Sequence, residues 1–335
     1  MAAKTRNDVL RVNMDPALGD VALAEARDAL ASGEWGPARE VLAETRHGES
    51  GPRWDRRSHR VRVLAEAVAN SSWVERWQVL EPVNPDAALL RAQVETVRAL
   101  RATLSGPAGH IDPATAETAA EAQELCEHAA EMAPGDPTPW VVMLTLARAA
   151  DRGRSASRDD FWRRWQEMRA RDAFNRDGHH EALTYLFGAW CGSHSEMYDF
   201  AYWLAGEAPP GSPLAVLPLV GHAEVYRAAT AGVAPVLRPS PHGHWQRRVV
   251  SADVDRVLRS WLGSATVPHA QADLDRNYLL HAMVHSGRVD TDEARALFDA
   301  IGSHAMRVPW SYTGDPESSF LYWRERAFTA GTPRR

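Results

Sequence analysis

HHEALTYLFGAWCGSHSEMYDFAYW, residues 179–203, holds three histidines, two glutamates, a cysteine and an aspartate among its aromatics. So many metal-ligating and nucleophilic groups invite a catalytic reading, but their spacing gives a structural one. Asp177 stands where a helix N-cap is expected, and Leu183, Phe187 and Trp190 recur behind it at helical intervals. Cys191-Gly192 interrupts the pattern. Ser193 and Glu196 then form S-x-x-E, the capping box, in which each side chain bonds the other residue's backbone N–H. Met197, Phe200, Ala201 and Leu204 follow at i, i+3, i+4 and i+7, a single apolar face. The stretch is predicted as two helices joined by a tight turn, with its serine and second glutamate serving as caps.

The same period runs through the chain, with almost no strand alternation. VALAEARDALASG (21–33) starts behind Asp20 and stops at Gly33, and Pro37 opens the next helix, where a missing N–H costs nothing. Asp136 and Ser157 are expected caps, and Pro218 should kink or interrupt a helix over 213–232. The pattern predicts about fourteen helices with short connections, hence an all-α fold of irregular antiparallel hairpins. Residues 1–15 and 331–335 are expected as tails on one domain, 16–330, with the Pro/Gly-rich segment 233–243 as the candidate for a flexible break.

Composition narrows the chemistry. A net charge of −6 argues against a general nucleic-acid binder. No run approaches the roughly 18 apolar residues of a membrane span, and the N-terminus lacks a secretory apolar core. Cys126 and Cys191 make neither a disulfide framework nor a zinc site, and the expected compartment is the cytoplasm. Lys4 is the only lysine. Pyridoxal phosphate chemistry and P-loop nucleotide hydrolysis both need a positioned lysine amine, so the sequence argues strongly against both.

ASGEWGPAREVL (31–42) resembles the tetratricopeptide (TPR) repeat, with Gly33, Trp35, Ala38 and Leu42 at its turn and packing positions. APGDPTPW (133–140) resembles a junction between repeats, and HSGRVDTDEARALF (285–298) is similar to a looser copy. WCGSHSEMYDFA and PWSYTGDP resemble segments of actinobacterial helical families without assigned function. The TPR resemblance implies diverged repeats stacked as a solenoid, whose concave groove takes a protein or peptide. The expected function is therefore a non-catalytic, TPR-like cytoplasmic adaptor without cofactor. The rival reading is an all-helical enzyme with a central cavity, metal-assisted in one version.

Individual residues divide between these readings. His180, Trp190 and His194 are the ligand-binding candidates. His180 and His194 open successive helices of a hairpin, so roughly 15 Å of helix separates them, too far for one metal ion. His269, Asp273, Asn277, His281 and His285 recur at every fourth position. His281 and His285 have a true metal-ligand spacing, and are the metal candidates, but no HExxH glutamate accompanies them. Asp159 and Asp160 resemble the acidic start of helical terpene cyclases, yet Arg163 stands where a third acid belongs. A helix-dipole role in the first turn explains them better.

Overall fold

A computed structural model describes residues 11–47, 51–106, 111–151, 158–231, 241–264 and 268–329. Among these residues there are seventeen α-helices and no strand. Local chemistry sets most boundaries. The Asp20 carboxylate accepts the Leu23 N–H and starts α1 (Val21–Ala31). The chain turns at Gly33, whose φ of +91° suits glycine, into α2 (Gly36–Arg46). α3 (Trp54–Val68) and α4 (Trp73–Leu80) follow. The side chains of Asn84 and Asp112 cap α5 (Pro85–Ser105) and α6 (Pro113–Met132). Asp136 accepts the Thr138 N–H at 2.8 Å at the head of α7 (Thr138–Ala150). α8 (Asp159–Arg171) begins just past Ser157, whose expected cap lies outside the described residues.

α9 (Arg176–Leu186) corrects the cap assigned to Asp177. Asn175 accepts the Gly178 N–H at 2.8 Å, so the cap lies two residues earlier and Asp177 falls in the first turn of the helix. Ser193 caps α10 (His194–Glu207) as expected, accepting the Glu196 N–H at 3.2 Å. The helix expected over 213–232 is interrupted near Pro218, as expected. A 3₁₀ turn, Pro213–Val216, precedes α11 (Leu217–Thr230), and Pro218 falls in the first turn, where the backbone tolerates it. The end of the expected break, 241–243, belongs to α12 (Pro241–Trp245), while 233–240 lie outside the described residues. α13 (Arg248–Val257), α14 (Ala272–His285), α15 (Asp292–Ile301), α16 (Arg307–Trp310) and α17 (Pro316–Thr329) complete the chain.

The helices form a row in which α1, α3, α5, α7 and α9 each pack on the next, continued by α11, α14 and α16. The intervening helices flank that row. α7 joins the two halves. Its Val142 and Met143 enter the core shared with Ala17–Val97, and its Val141, Leu144 and Ala147 enter the core that reaches Ala327. The row also curls on itself. α3 touches α9, three steps along. Asn13 N–H donates to Ser303 O at 2.7 Å, and Ala270 N–H donates to Asp55 at 2.9 Å. Residues 11–15, placed by the sequence in a flexible tail, are thus tied to the other end, with Val12 against the core. α3 and α9 meet on the side of the row where a groove was expected.

The hairpin of α9 and α10 depends on Gly192. A Cβ built there falls on the Leu186 carbonyl at the end of α9, which is backbone and has no room to move. Gly192→Ala is expected to lose about 1–3 kcal/mol by this overpacking. Gly206, within α10, would place a Cβ with nothing within 4 Å of it. Gly206→Ala should therefore raise stability by up to about 1 kcal/mol through helix propensity. Thermal denaturation of the two variants checks both signs.

Candidate functional site

Two places combine polar side chains with accessible space. The first is a narrow cavity of about 90 Å³ among α3, α5, α7 and α9. α3 contributes Ser58, Arg62 and Glu66, one face at four-residue spacing, and α5 contributes Gln93 beside Val97 and Leu100. α7 contributes Thr138, Val141, Thr145 and Arg148, and α9 contributes Asp177 and Glu181. Arg148 and Glu181 approach to 2.8 Å, yet Arg148 Nε and Glu181 Oε2 form no aligned hydrogen bond, so this pair is ionic contact only. Arg101 holds Glu66 at 2.5 Å. Arg62 donates to His59 Nδ1 at 3.0 Å and has no carboxylate at ion-pair distance among the described residues. Burial raises the Asp177 carboxyl above its ordinary range, against the lowering pull of Arg62 and Arg176. Arg176 itself is committed to Asp275, at 2.5 and 3.1 Å.

His180 stands beside this cavity without lining it. Its Nδ1 is buried and has no hydrogen-bond partner, and burial drives its pKa well below the usual histidine range. Trp190 reaches the same place indirectly, its ring under the Arg148 guanidinium at 5.3 Å. His194 is exposed and stacks on Phe187 at 5.2 Å, at the far end of α9 from His180. The fold therefore brings Trp190 toward the cavity through Arg148 and leaves His194 apart.

The second place is an open cleft of about 650 Å³ between α14 and α17. On α17, Ser318, Ser319, Tyr322, Trp323 and Arg326 face it at helical spacing. His285, Asp290 and Thr313 complete the opposite wall. Tyr322 is 55% exposed, and Arg326 lies over the Trp323 ring at 5.7 Å. The His281 and His285 rings meet at 4.4 Å. His281 is fully buried between Trp245 and Trp310, at 5.0 and 5.2 Å, and His285 sits 5.3 Å from Trp323. Burial, then the neighbouring His285, depresses the His281 pKa well below the ordinary value. The two metal candidates thus do come together, in an aromatic box. Among the described residues, no three His, Cys, Asp or Glu side chains converge as a metal site.

Other members of the every-fourth-residue series serve the scaffold. Asn277 accepts the Trp310 indole N–H at 2.8 Å and donates to Asp273 O, while His269 bonds Asp275 at 2.9 Å. Asp160 pairs with Arg163 at 2.7 Å on the α8 surface. Sequence reasoning missed Arg62, Asp177 as a cavity residue, and the Tyr322–Trp323–Arg326 face. The signal for that face was present in the 3–4 spacing of polar and aromatic residues opposite Phe320 and Ala327, which are buried.

No family model matches the chain, no curated protein matches it, and no solved structure matches it. Among the described residues, no helix is long and apolar enough to cross a membrane.

Proposed function

We propose that this chain is a non-catalytic cytoplasmic adaptor of TPR-like type, which takes an extended peptide of a partner protein in the cleft between α14 and α17. The observation that carries the reading is the exposed α17 face. Tyrosine, tryptophan and arginine are the side chains that most often dominate binding energy at interfaces, and Tyr322, Trp323 and Arg326 stand together on one open wall. Ser318, Ser319, Asp290 and Thr313 offer the scattered hydrogen-bonding groups that fix a peptide backbone. The alternation of inner and flanking helices supports the repeat-like part of the reading. The partner site moves from the groove of the row, where α3 and α9 meet, to its C-terminal end.

The test is affinity capture from native lysate, with wild-type chain and Trp323→Ala as parallel baits. A partner recovered on the wild type is expected to lose about 2 kcal/mol of affinity on the variant, roughly 30-fold. Equal recovery on both baits, or no reproducible partner on either, contradicts the proposal.

A further inference from the structure

We propose that the cavity among α3, α5, α7 and α9 binds a small zwitterion of the α-amino-acid type, its carboxylate on Arg62 and its ammonium on Asp177. Four observations converge on this ligand. First, the charges that line the cavity sit in close ion pairs except for one of each sign. Glu66 is held by Arg101 and Glu181 lies against Arg148, whereas Arg62 has no carboxylate partner among the described residues. Asp177 bonds the Gln271 amide, has a long contact of 3.9 Å to Arg176, whose guanidinium is taken by Asp275, and feels Arg62 across the cavity without a close ion pair.

Second, two hydroxyls that line the cavity lack hydrogen-bond partners. Ser58 is 5% exposed and Thr138 1% exposed, and neither Oγ is bonded. Leaving such groups buried and unmatched is costly, and a carboxylate oxygen would accept from either. Third, burial holds the Asp177 carboxyl above its ordinary range, so a cation beside it would relieve a cost already present in the fold. Fourth, the size is right. Where one water needs about 10–15 Å³, a space of about 90 Å³ takes about six non-hydrogen atoms, as many as alanine has. Val97, Val141 and Val142 supply an apolar wall for a methyl group.

The experiment is calorimetric titration of L-alanine, glycine and L-serine into the purified chain at neutral pH. Saturable binding at one site is expected, at least about 30-fold weaker in Arg62→Gln and in Asp177→Asn. Propionate and ethylamine, each with one of the two charges, should bind no better than those variants bind alanine. Should Asp177→Asn fail to fold, Ser58→Ala removes a hydroxyl and no charge, and is expected to weaken alanine about 10-fold with unchanged circular dichroism. Failure of all three amino acids to bind the wild type overturns the proposal. So does propionate binding as tightly as alanine, or affinity unchanged in both Ser58→Ala and Arg62→Gln.

Discussion

Arg57→Met is expected to destabilise the protein by about 3–5 kcal/mol, because it strands the buried Asp136 carboxylate and takes one of two partners from the buried Asp86. The Arg57 side chain is fully buried, 2.8 Å from Asp86 and 2.5 Å from Asp136, each of which is 1% exposed. It also donates to the Leu42 carbonyl at 3.2 Å and to Thr45 at 3.3 Å. Arg46 reaches Asp86 at 2.8 Å from a more exposed position, so Asp86 keeps one partner after the substitution and Asp136 keeps only backbone. That asymmetry predicts partial rescue by Asp136→Asn, which retains an acceptor for the Thr138 N–H and removes the charge. Urea unfolding at neutral pH measures both effects. A loss below about 1 kcal/mol for Arg57→Met would mean that water reaches the site.

Acid is expected to destabilise the fold well above the carboxylate range, through histidines buried in the neutral form. Burial lowers His59 to about 3, helped by Arg62, and His179 to about 4, helped by Arg169. His281 is also held well below the ordinary 6.5, by burial and then His285. In the unfolded chain these rings take up protons as the pH falls through 6.5, while the folded rings do not. The unfolded state then binds more protons, so stability is complete above that value and declines toward 4. At about pH 5.5 each such group costs about 1.4 kcal/mol. Glu95, Asp172 and Asp177, raised by burial, work in the opposite direction as they protonate. A difference measurement isolates one histidine. His281→Leu suits a site fully buried between two tryptophans, and should gain about 1.4 kcal/mol relative to wild type between about pH 7.5 and 5.5. Identical pH dependence in the two proteins would show that His281 already titrates normally.

Local structure was legible in the sequence because its causes are local. Asp20, Gly33, Pro37 and Ser193 act on groups within a few residues, and each does so in the fold, whereas the Glu196 carboxylate pairs with Arg158, 38 residues away. Asp177 reads wrongly as a cap because Asn175, two residues earlier, offers the same chemistry. The sites were legible only in fragments. Arg57 and Asp136 are 79 residues apart, and Asn13 meets Ser303 across nearly the whole chain. No periodicity encodes those meetings. Arg62 and Asp177 face one cavity because α3 curls round to α9, a consequence of how successive helices are angled. The His281–His285 contact was legible, being one turn of a single helix, whereas the tryptophans that box it come from α12, α16 and α17.

A peptide held in the proposed cleft between α14 and α17 should protect the backbone of both of its walls. Hydrogen–deuterium exchange of the chain, free and saturated with its captured partner, tests it most directly. Slowed exchange is expected in 284–290 and 313–326, with the α1–α2 hairpin unchanged. Protection confined to other helices, with α17 exchanging as in the free chain, would contradict it.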